Sequence, residues 1–314
     1  MSETSTSQPP LISIVVPVFN EEKGLQELFS RTALALERIS PNFEVVCVDD
    51  GSRDDSLALL IAQHQKDPRF KAIALSRNFG HQRAVLAGLT YSRGAFIGVM
   101  DADLQDPPEL FKDFHDKMEE GFDVVYAVRK NRKENRLKRS AYWMFYRLIT
   151  NIADIRLPVD SGDFCLMKRQ VLNEILRIPE QSLFLRGLRF WVGFRQAGFE
   201  YERAERFAGT TKYSLKRLLQ LAYNGIFSFS DFPIRFLGRL GYSTIVISLM
   251  YTAFILSKKL IWGEIIEGFT TLILAIFFFG GVQLVSIRIL GEYISRIYDQ
   301  SRARPLFIVQ EAHL

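Results

Sequence analysis

Four short apolar runs constrain this chain more than any other feature. They are residues 11–18 (LISIVVPV), 43–48 (FEVVCV), 70–75 (FKAIAL) and 95–100 (AFIGVM). Single polar residues, Ser13, Glu44 and Lys71, interrupt the first three, all are otherwise apolar, and each has the length of a strand covered on both faces. Between them lie stretches with helical spacing. Residues 22–39 place Leu25, Leu28, Phe29, Ala33, Leu34 and Leu36 along the helix, and residues 54–65 and 82–91 predict two more helices. A fourth helix over 108–120 and a fifth strand over 123–128 continue the alternation. Strands alternating with helices predict a parallel, doubly wound sheet, whose ligands bind beyond the carboxyl ends of the strands. Each of the four runs ends in a polar cluster: Asn20-Glu21, Asp49-Asp50, Ser76-Arg77-Asn78 and Asp101 to Gln105. Four such clusters on one edge predict a binding site there.

The sharpest of them is Asp101-Ala102-Asp103-Leu104-Gln105, followed by Asp106-Pro107-Pro108. On an extended backbone Asp101 and Asp103 project to the same side. Two carboxylates and the Gln105 amide oxygen form a hard, all-oxygen set suited to Mg²⁺ or Mn²⁺ shared with a substrate diphosphate. Taken alone, the pair is more often a strand end with a polar turn; its company at the sheet edge favours the ligand reading. Such a site can neutralise a diphosphate leaving group while a sugar is displaced. Asp50 is placed to accept hydrogen bonds from a base or ribose. Metal-assisted hydrolysis lacks a second ligand cluster, since His64, His81, His115 and His313 are scattered. His81, beside Arg83, is either a phosphate contact or a solvated loop residue. There is no phosphate-binding Gly-x-x-x-x-Gly-Lys-Ser/Thr loop and no nucleophile elbow, which excludes ATPase and esterase readings.

The remainder of the chain points to a membrane. The formal charge is +5, and 15 of the 26 phenylalanines lie in residues 184–314. An anionic partner follows from the charge, whether nucleic acid, phospholipid or phosphorylated substrate. Residues 129–147 carry eight cations against one Glu134, and Tyr142-Trp143-Met144-Phe145-Tyr146 suits a bilayer interface. Residues 184–196 predict an aromatic, Arg-bearing helix, and 214–229 an amphipathic one. Residues 241–256 and 268–287 carry no charge. The second is long enough to span a bilayer, and the first needs residues 237–240 or a tilt. Cations flank the pair on the outside, which puts both termini in the cytoplasm. No recognition module accompanies the basic run, so nucleic acid is not an expected partner. Cys47 and Cys165 sit in apolar runs and read as buried free thiols of a reducing compartment. Residues 1–10 read as a disordered lead-in without a signal-peptide core.

Pro17-Val18-Phe19-Asn20-Glu21, Asp49-Asp50-Gly51-Ser52, Asn78-Phe79-Gly80-His81-Gln82 and Asp101 to Pro108 together resemble family 2 glycosyltransferases with a GT-A fold. The resemblance is to the polyprenyl-phosphate glycosyltransferases, of the dolichol-phosphate mannose synthase and bactoprenol glucosyltransferase (GtrB) type. It covers nearly the whole chain, including residues 160–164, 206–213 and the apolar hairpin. It implies an α/β, Rossmann-like GT-A domain with a mostly parallel sheet over 11–211. An amphipathic juxtamembrane region over 212–236 would follow, then a transmembrane hairpin over 237–290 (about 237–257 and 267–288) and a cytoplasmic tail over 291–314.

Carried over residue by residue, the resemblance implies Mg²⁺ or Mn²⁺ at Asp101, Asp103 and Gln105. It implies a nucleoside diphosphate at Pro17, Phe19, Asn20, Glu21, Asp50, Ser52, Asn78, Gly80, Arg83, Asp101 and Ala102. Asp103, Asp160 and Asp163 would serve catalysis, the last two by orienting the sugar, with a base role open to one of them. Arg129, Arg136, Arg139, Ser140, Arg206 and Lys212 would bind the lipid phosphate. Thr210-Thr211-Lys212 departs from the family's usual Glu-Ser-Lys. The implied reaction is an inverting transfer from a nucleotide sugar, UDP-glucose first, to a polyprenyl phosphate in the membrane. Mannose, galactose and a modified arabinose are the other sugars, and a homo-oligomer, a tetramer first, the implied assembly. A processive polysaccharide synthase would need a Gln-x-x-Arg-Trp helix, and the candidate here reads Leu188-Arg189-Phe190-Trp191. A non-catalytic membrane adaptor is the rival from another class, and the intact ligand set argues against it.

Overall fold

A computed structural model describes residues 9–129, 161–181, 183–202, 232–262 and 268–314. The elements in chain order are β1 (Ile12–Val18), α1 (Leu25–Glu37), β2 (Phe43–Asp49), α2 (Ser56–Lys66), β3 (Phe70–Leu75), α3 (His81–Tyr91), β4 (Phe96–Val99), α4 (Leu110–Glu119) and β5 (Val124–Arg129). After them come β6 (Ser161–Lys168), α5 (Arg169–Leu176), α6 (Leu185–Trp191), β7 (Gln196–Tyr201), α7 (Phe232–Trp262), α8 (Phe269–Arg302) and β8 (Val309–His313). The chain divides into a sheet unit, which carries all eight of these strands, and a helical unit that carries α7 and α8.

In the sheet unit the strands run in the order β7-β5-β6-β4-β1-β2-β3-β8. β1 pairs in parallel with β2 and β4, β2 with β3, and β5 with β7. All seven residues of β1, and all seven of β2, are buried, as continuous β-branched runs require. Because side chains alternate across a strand, Ile12, Ile14, Val16 and Val18 face one layer of helices. That layer contains Leu25, Leu28 and Leu36 of α1, Leu60 of α2, and Phe111 and Phe114 of α4. Phe114 also meets Phe164 of β6 and Phe199 of β7 at ring distances of 5.0 and 5.6 Å. α3 lies on β1 and β2 from the opposite face, where Gly88 approaches Val15 and Val48.

Three departures from the sequence reading matter for the site. β6 and β8 are antiparallel to their neighbours, so the sheet is mostly parallel but mixed. β6 pairs with β4 in a register that sets Val99 opposite Cys165. Two residues further along, the same register points Asp101 toward Asp163. The helix expected over 184–196 stops at Trp191, because Gly193 (φ 79°) and Phe194 (φ 58°) turn left-handed and Gln196 begins β7. Residues 291–314, read as a tail, continue α8 to Arg302 and then supply β8, which closes the exposed edge of β3.

In the helical unit α7 has 31 residues and α8 has 34, and the two pack on each other. Leu249 and Leu260 on α7, and Ile276 and Leu284 on α8, are each more than half exposed. Among the described residues, no helix is long and apolar enough to cross a membrane.

Candidate active site

The carboxyl edge of the sheet is assembled from four loops. Those after β1 and β2 are tied to one another: the Asn20 N–H donates to Ser52 Oγ (3.0 Å), and the Arg53 N–H to Asn20 Oδ1 (2.8 Å). The Glu21 N–H donates to Ser56 Oγ (3.0 Å) and the Glu22 N–H to Asp54 Oδ2 (3.3 Å). Asn20 takes a left-handed φ of 56°, which Asn tolerates better than most residues. Phe19, next to it, leaves 43% of its surface open, while Pro17 lies inside β1. Sequence reading placed Pro17, Phe19, Asn20, Glu21 and Ser52 in one nucleoside-binding group, and the structure ties Asn20, Glu21 and Ser52 into one loop pair.

Asp50 is 3% exposed and works inward, its oxygens accepting the N–H groups of Phe79 (2.7 Å) and Gly80 (2.9 Å). Burial pushes its carboxyl above the ordinary range, against those two N–H groups. Gly80 has φ 96° and starts α3; Asn78 is exposed, and Arg83 turns back to donate to the Phe79 carbonyl (3.2 Å). Gly51 is the residue that lets these two loops meet. Its φ is +71°, and a Cβ there would lie 2.7 Å from the Asn78 nitrogen and 2.8 Å from the Arg77 carbonyl carbon. Backbone cannot rotate out of the way. Gly51→Ala is therefore expected to cost about 2 kcal/mol or more of stability and to weaken UDP binding at least tenfold. Thermal melting and titration calorimetry with UDP measure the two effects, and unchanged UDP affinity would separate this turn from the nucleotide.

Asp101 to Gln105 leave the end of β4. Asp103 Oδ1 accepts the Gln105 N–H at 3.1 Å. Leu104, between them, is buried and left-handed (φ 57°), a conformation that costs a leucine roughly 1–2 kcal/mol. Its burial, with that of Ala102, anchors the acidic residues on either side. Asp106 is buried and accepts a hydrogen bond from the Tyr201 hydroxyl, which fixes the far end of the loop to β7.

Opposite this loop stands Asp163 on β6. The Gln82 amide donates to Asp163 Oδ2 (3.3 Å), and Arg186 Nε donates to Oδ1 (3.3 Å). His81, the first residue of α3, places Nε2 3.6 Å from Asp163 Oδ2 and 3.8 Å from Asp101 Oδ1. Burial opposes a charge on His81, but the Asp163 hydrogen bond and the two carboxylate charges push the imidazole up to about 9. Burial raises Asp101 to about 6; His81 opposes this, while Asp106, Asp163 and Asp103 add to it. Burial also acts to raise Asp163, yet Arg186, His81 and Arg189 hold it well below the usual carboxylate range. Buried Arg189 steadies the start of β6 by donating to the Gly162 carbonyl (3.3 Å).

Thus the structure gathers Asp101, Asp103, Gln105, Asp163, Asn20, Ser52 and Gly80 on one edge, and Arg129 ends β5. Asp160, Arg136, Arg139, Ser140, Arg206 and Lys212 lie outside the described residues, as do the aromatic stretch 142–146 and the amphipathic stretch 214–229. His81 was left between two readings, and Gln82 and Arg186 were given no role. His81 and Gln82 stand in the Asn78-to-Gln82 motif, but no local pattern links them or Arg186 to Asp163; the reversed direction of β6 brings it to them.

The donor chemistry fits a hard divalent ion, being all carboxylate and amide oxygen at one loop. Among the described residues, His115, Asp116 and Glu119 form another group within reach of one ion. They lie on the surface of α4, and nothing ties them to this edge.

The chain belongs to glycosyl transferase family 2, whose model matches residues 13–176. It is 45% identical over 302 residues to the uncharacterized glycosyltransferase YkcC of Bacillus subtilis, covering 96% of this chain and 94% of that one. It is 39% identical over 304 residues to the bactoprenol glucosyl transferase of Shigella phage SfII, covering 96% and 98%. Identity to the prophage bactoprenol glucosyl transferase homolog of Escherichia coli K12 is 38% over 301 residues, covering 95% and 98%.

Proposed function

We propose that this glycosyltransferase moves glucose from UDP-glucose to a polyprenyl phosphate, with inversion at the anomeric carbon. The observation that carries the reading is similarity to bactoprenol glucosyl transferases over 95–96% of the chain. A phosphate oxygen of the lipid attacks the anomeric carbon as the bond to the UDP oxygen breaks. That phosphate is already ionised at neutral pH, so the step needs no strong base. Asp163 then orients the sugar, as does Asp160. Asn20, Glu21 and Ser52 form the wall for the nucleoside, backed by Asp50, with Pro17, Phe19, Asn78, Gly80, Arg83 and Ala102 around them. Asp101, Asp103 and Gln105 would hold Mg²⁺ or Mn²⁺. The ion supplies positive charge to the departing diphosphate. Arg129, Arg136, Arg139, Ser140, Arg206 and Lys212 would bind the acceptor phosphate by charge-assisted hydrogen bonds.

The reading also makes the protein an integral membrane enzyme with its sheet unit and both termini in the cytoplasm. Apolar side chains exposed along α7 and α8 need a cover, and a bilayer supplies one. At 1.5 Å per residue the helices are about 46 and 51 Å long, more than a bilayer core requires. The chain leaves the sheet unit before α7 and re-enters it at β8, so any crossings must be even in number. Two helices satisfy that. Assembly as a homo-oligomer, a tetramer first, belongs to the same reading.

The test uses full-length protein in detergent with undecaprenyl phosphate, Mg²⁺ or Mn²⁺, and radiolabelled UDP-glucose. Label is expected to enter the organic phase and to stop doing so after chelation. GDP-mannose or another donor working in its place would change the sugar. Nucleotide binding with no transfer from any donor would instead make the chain a membrane adaptor.

A further inference from the structure

We propose that Gln82 is a positioning residue, and that it sets the aim of Asp163 through a closed ring of hydrogen bonds. The inference rests on the transfer reaction proposed above. The Gln82 side chain is engaged at both ends. Its Nε2 donates to Asp163 Oδ2 at 3.3 Å, and its Oε1 accepts the Leu185 N–H at 3.0 Å. Leu185 opens α6, where a backbone N–H has no partner within the helix. The next residue, Arg186, returns to the same carboxylate, donating from Nε to Asp163 Oδ1 at 3.3 Å.

The ring therefore closes: Gln82 to Asp163, Asp163 to Arg186, Arg186 along the backbone to Leu185, and Leu185 back to Gln82. It joins three separate elements, α3, β6 and α6. Each oxygen of Asp163 is held from a different side, so the carboxylate has no free rotation about its last torsion. A pair of charges alone would leave that torsion loose, because Coulomb attraction is nearly indifferent to it. The amide supplies direction. A side-chain amide meets the requirement, since it donates at one end and accepts at the other.

Gln82→Met keeps length and bulk but offers neither donor nor acceptor. Gln82→Glu keeps an acceptor for Leu185 while turning a carboxylate toward Asp163. The expected result is a fall in kcat of about 10- to 100-fold for Gln82→Met and a larger fall for Gln82→Glu. KM for UDP-glucose and the affinity for UDP should stay within about twofold of the parent, because neither end of Gln82 reaches the nucleoside loops. Amide exchange of the peptide bearing Leu185 should quicken in Gln82→Met and stay slow in Gln82→Glu. A structural role alone would lower stability, UDP affinity and kcat together, and that pattern overturns the proposal. So does an unchanged kcat in Gln82→Met. If the parent protein transfers no sugar to any polyprenyl phosphate, the functional reading fails. The ring is then judged by exchange alone: unaltered exchange at Leu185 in Gln82→Met overturns it, and faster exchange supports it.

Discussion

Asp103→Ala is expected to lower sugar transfer about a thousandfold while the protein melts within a few degrees of its parent. The argument starts from charge. A sugar leaving its nucleotide deposits negative charge on a diphosphate, at an edge already lined by Asp101, Asp103, Asp106 and Asp163. Without a held cation that charge would be repelled. A thousandfold corresponds to about 4 kcal/mol of transition-state stabilisation, the several kcal/mol ascribed to one well-placed divalent ion. The structural cost is small by comparison. Asp103 accepts the Gln105 N–H, a bond worth roughly 1 kcal/mol, and Leu104 keeps the loop anchored by its own burial. Asp103→Asn separates the two effects, because the amide retains the acceptor and loses the charge. Transfer by either variant within tenfold of the parent would remove Asp103 from the ion's ligands.

Gly88→Val is expected to prevent the sheet unit from folding, and Gly88→Ala to cost about 3 kcal/mol or more. A Cβ at Gly88 would lie 2.3 Å from Val15 Cγ1 and 3.1 Å from Val48 Cγ2. Both valines are fully buried in central strands, and β-branched side chains have few rotamers to retreat into. α3 must then lift off β1 and β2. His81 and Gln82 sit two turns earlier on that helix, so the lift also displaces the groups around Asp163. Gly80→Ala makes the comparison informative. It has φ +96° and nothing within 4 Å of the added carbon, so its penalty is conformational alone, about 1 kcal/mol. Denaturant unfolding ranks the three variants. A Gly88→Ala midpoint equal to the parent's would show that α3 is not pinned there.

The strands β1 to β4 and their helices were legible because each strand is covered on both faces and so leaves a run that is apolar at almost every position. The polar residues ending each run followed from the same pattern, which is why Asn20, Asp50 and Asp101 to Gln105 could be placed on one edge. Direction was not legible. Residues 160–164 read as an acidic turn of Asp, Ser and Gly with only 165–168 strand-like, and it is pairing with its neighbours that shows β6 beginning at Ser161, running backwards and carrying Asp163 toward Asp101. β7 was hidden for a different reason. Its sequence, QAGFEY, is short and half polar, and it follows an aromatic stretch that continues a helical pattern until Gly193 breaks it. β8 reads VQEAH and has no apolar signature at all, since an edge strand needs backbone partners more than buried side chains.

That edge strand also fixes when the catalytic sheet can be finished during synthesis. Ala72 pairs with His313, and Leu75 with Val309, across a separation of more than two hundred residues. Strands β1 to β7 emerge from the ribosome first, with β3 presenting a bare row of N–H and C=O groups until α7, α8 and β8 have been made. Closure of so long a loop is slow relative to local pairing, and open strand edges in the interval invite wrong partners. The nascent chain thus carries an unfinished edge throughout the time its most apolar segments are being translated. Synthesis of those helices and completion of the sheet become successive steps of one maturation, with the second unable to precede the first.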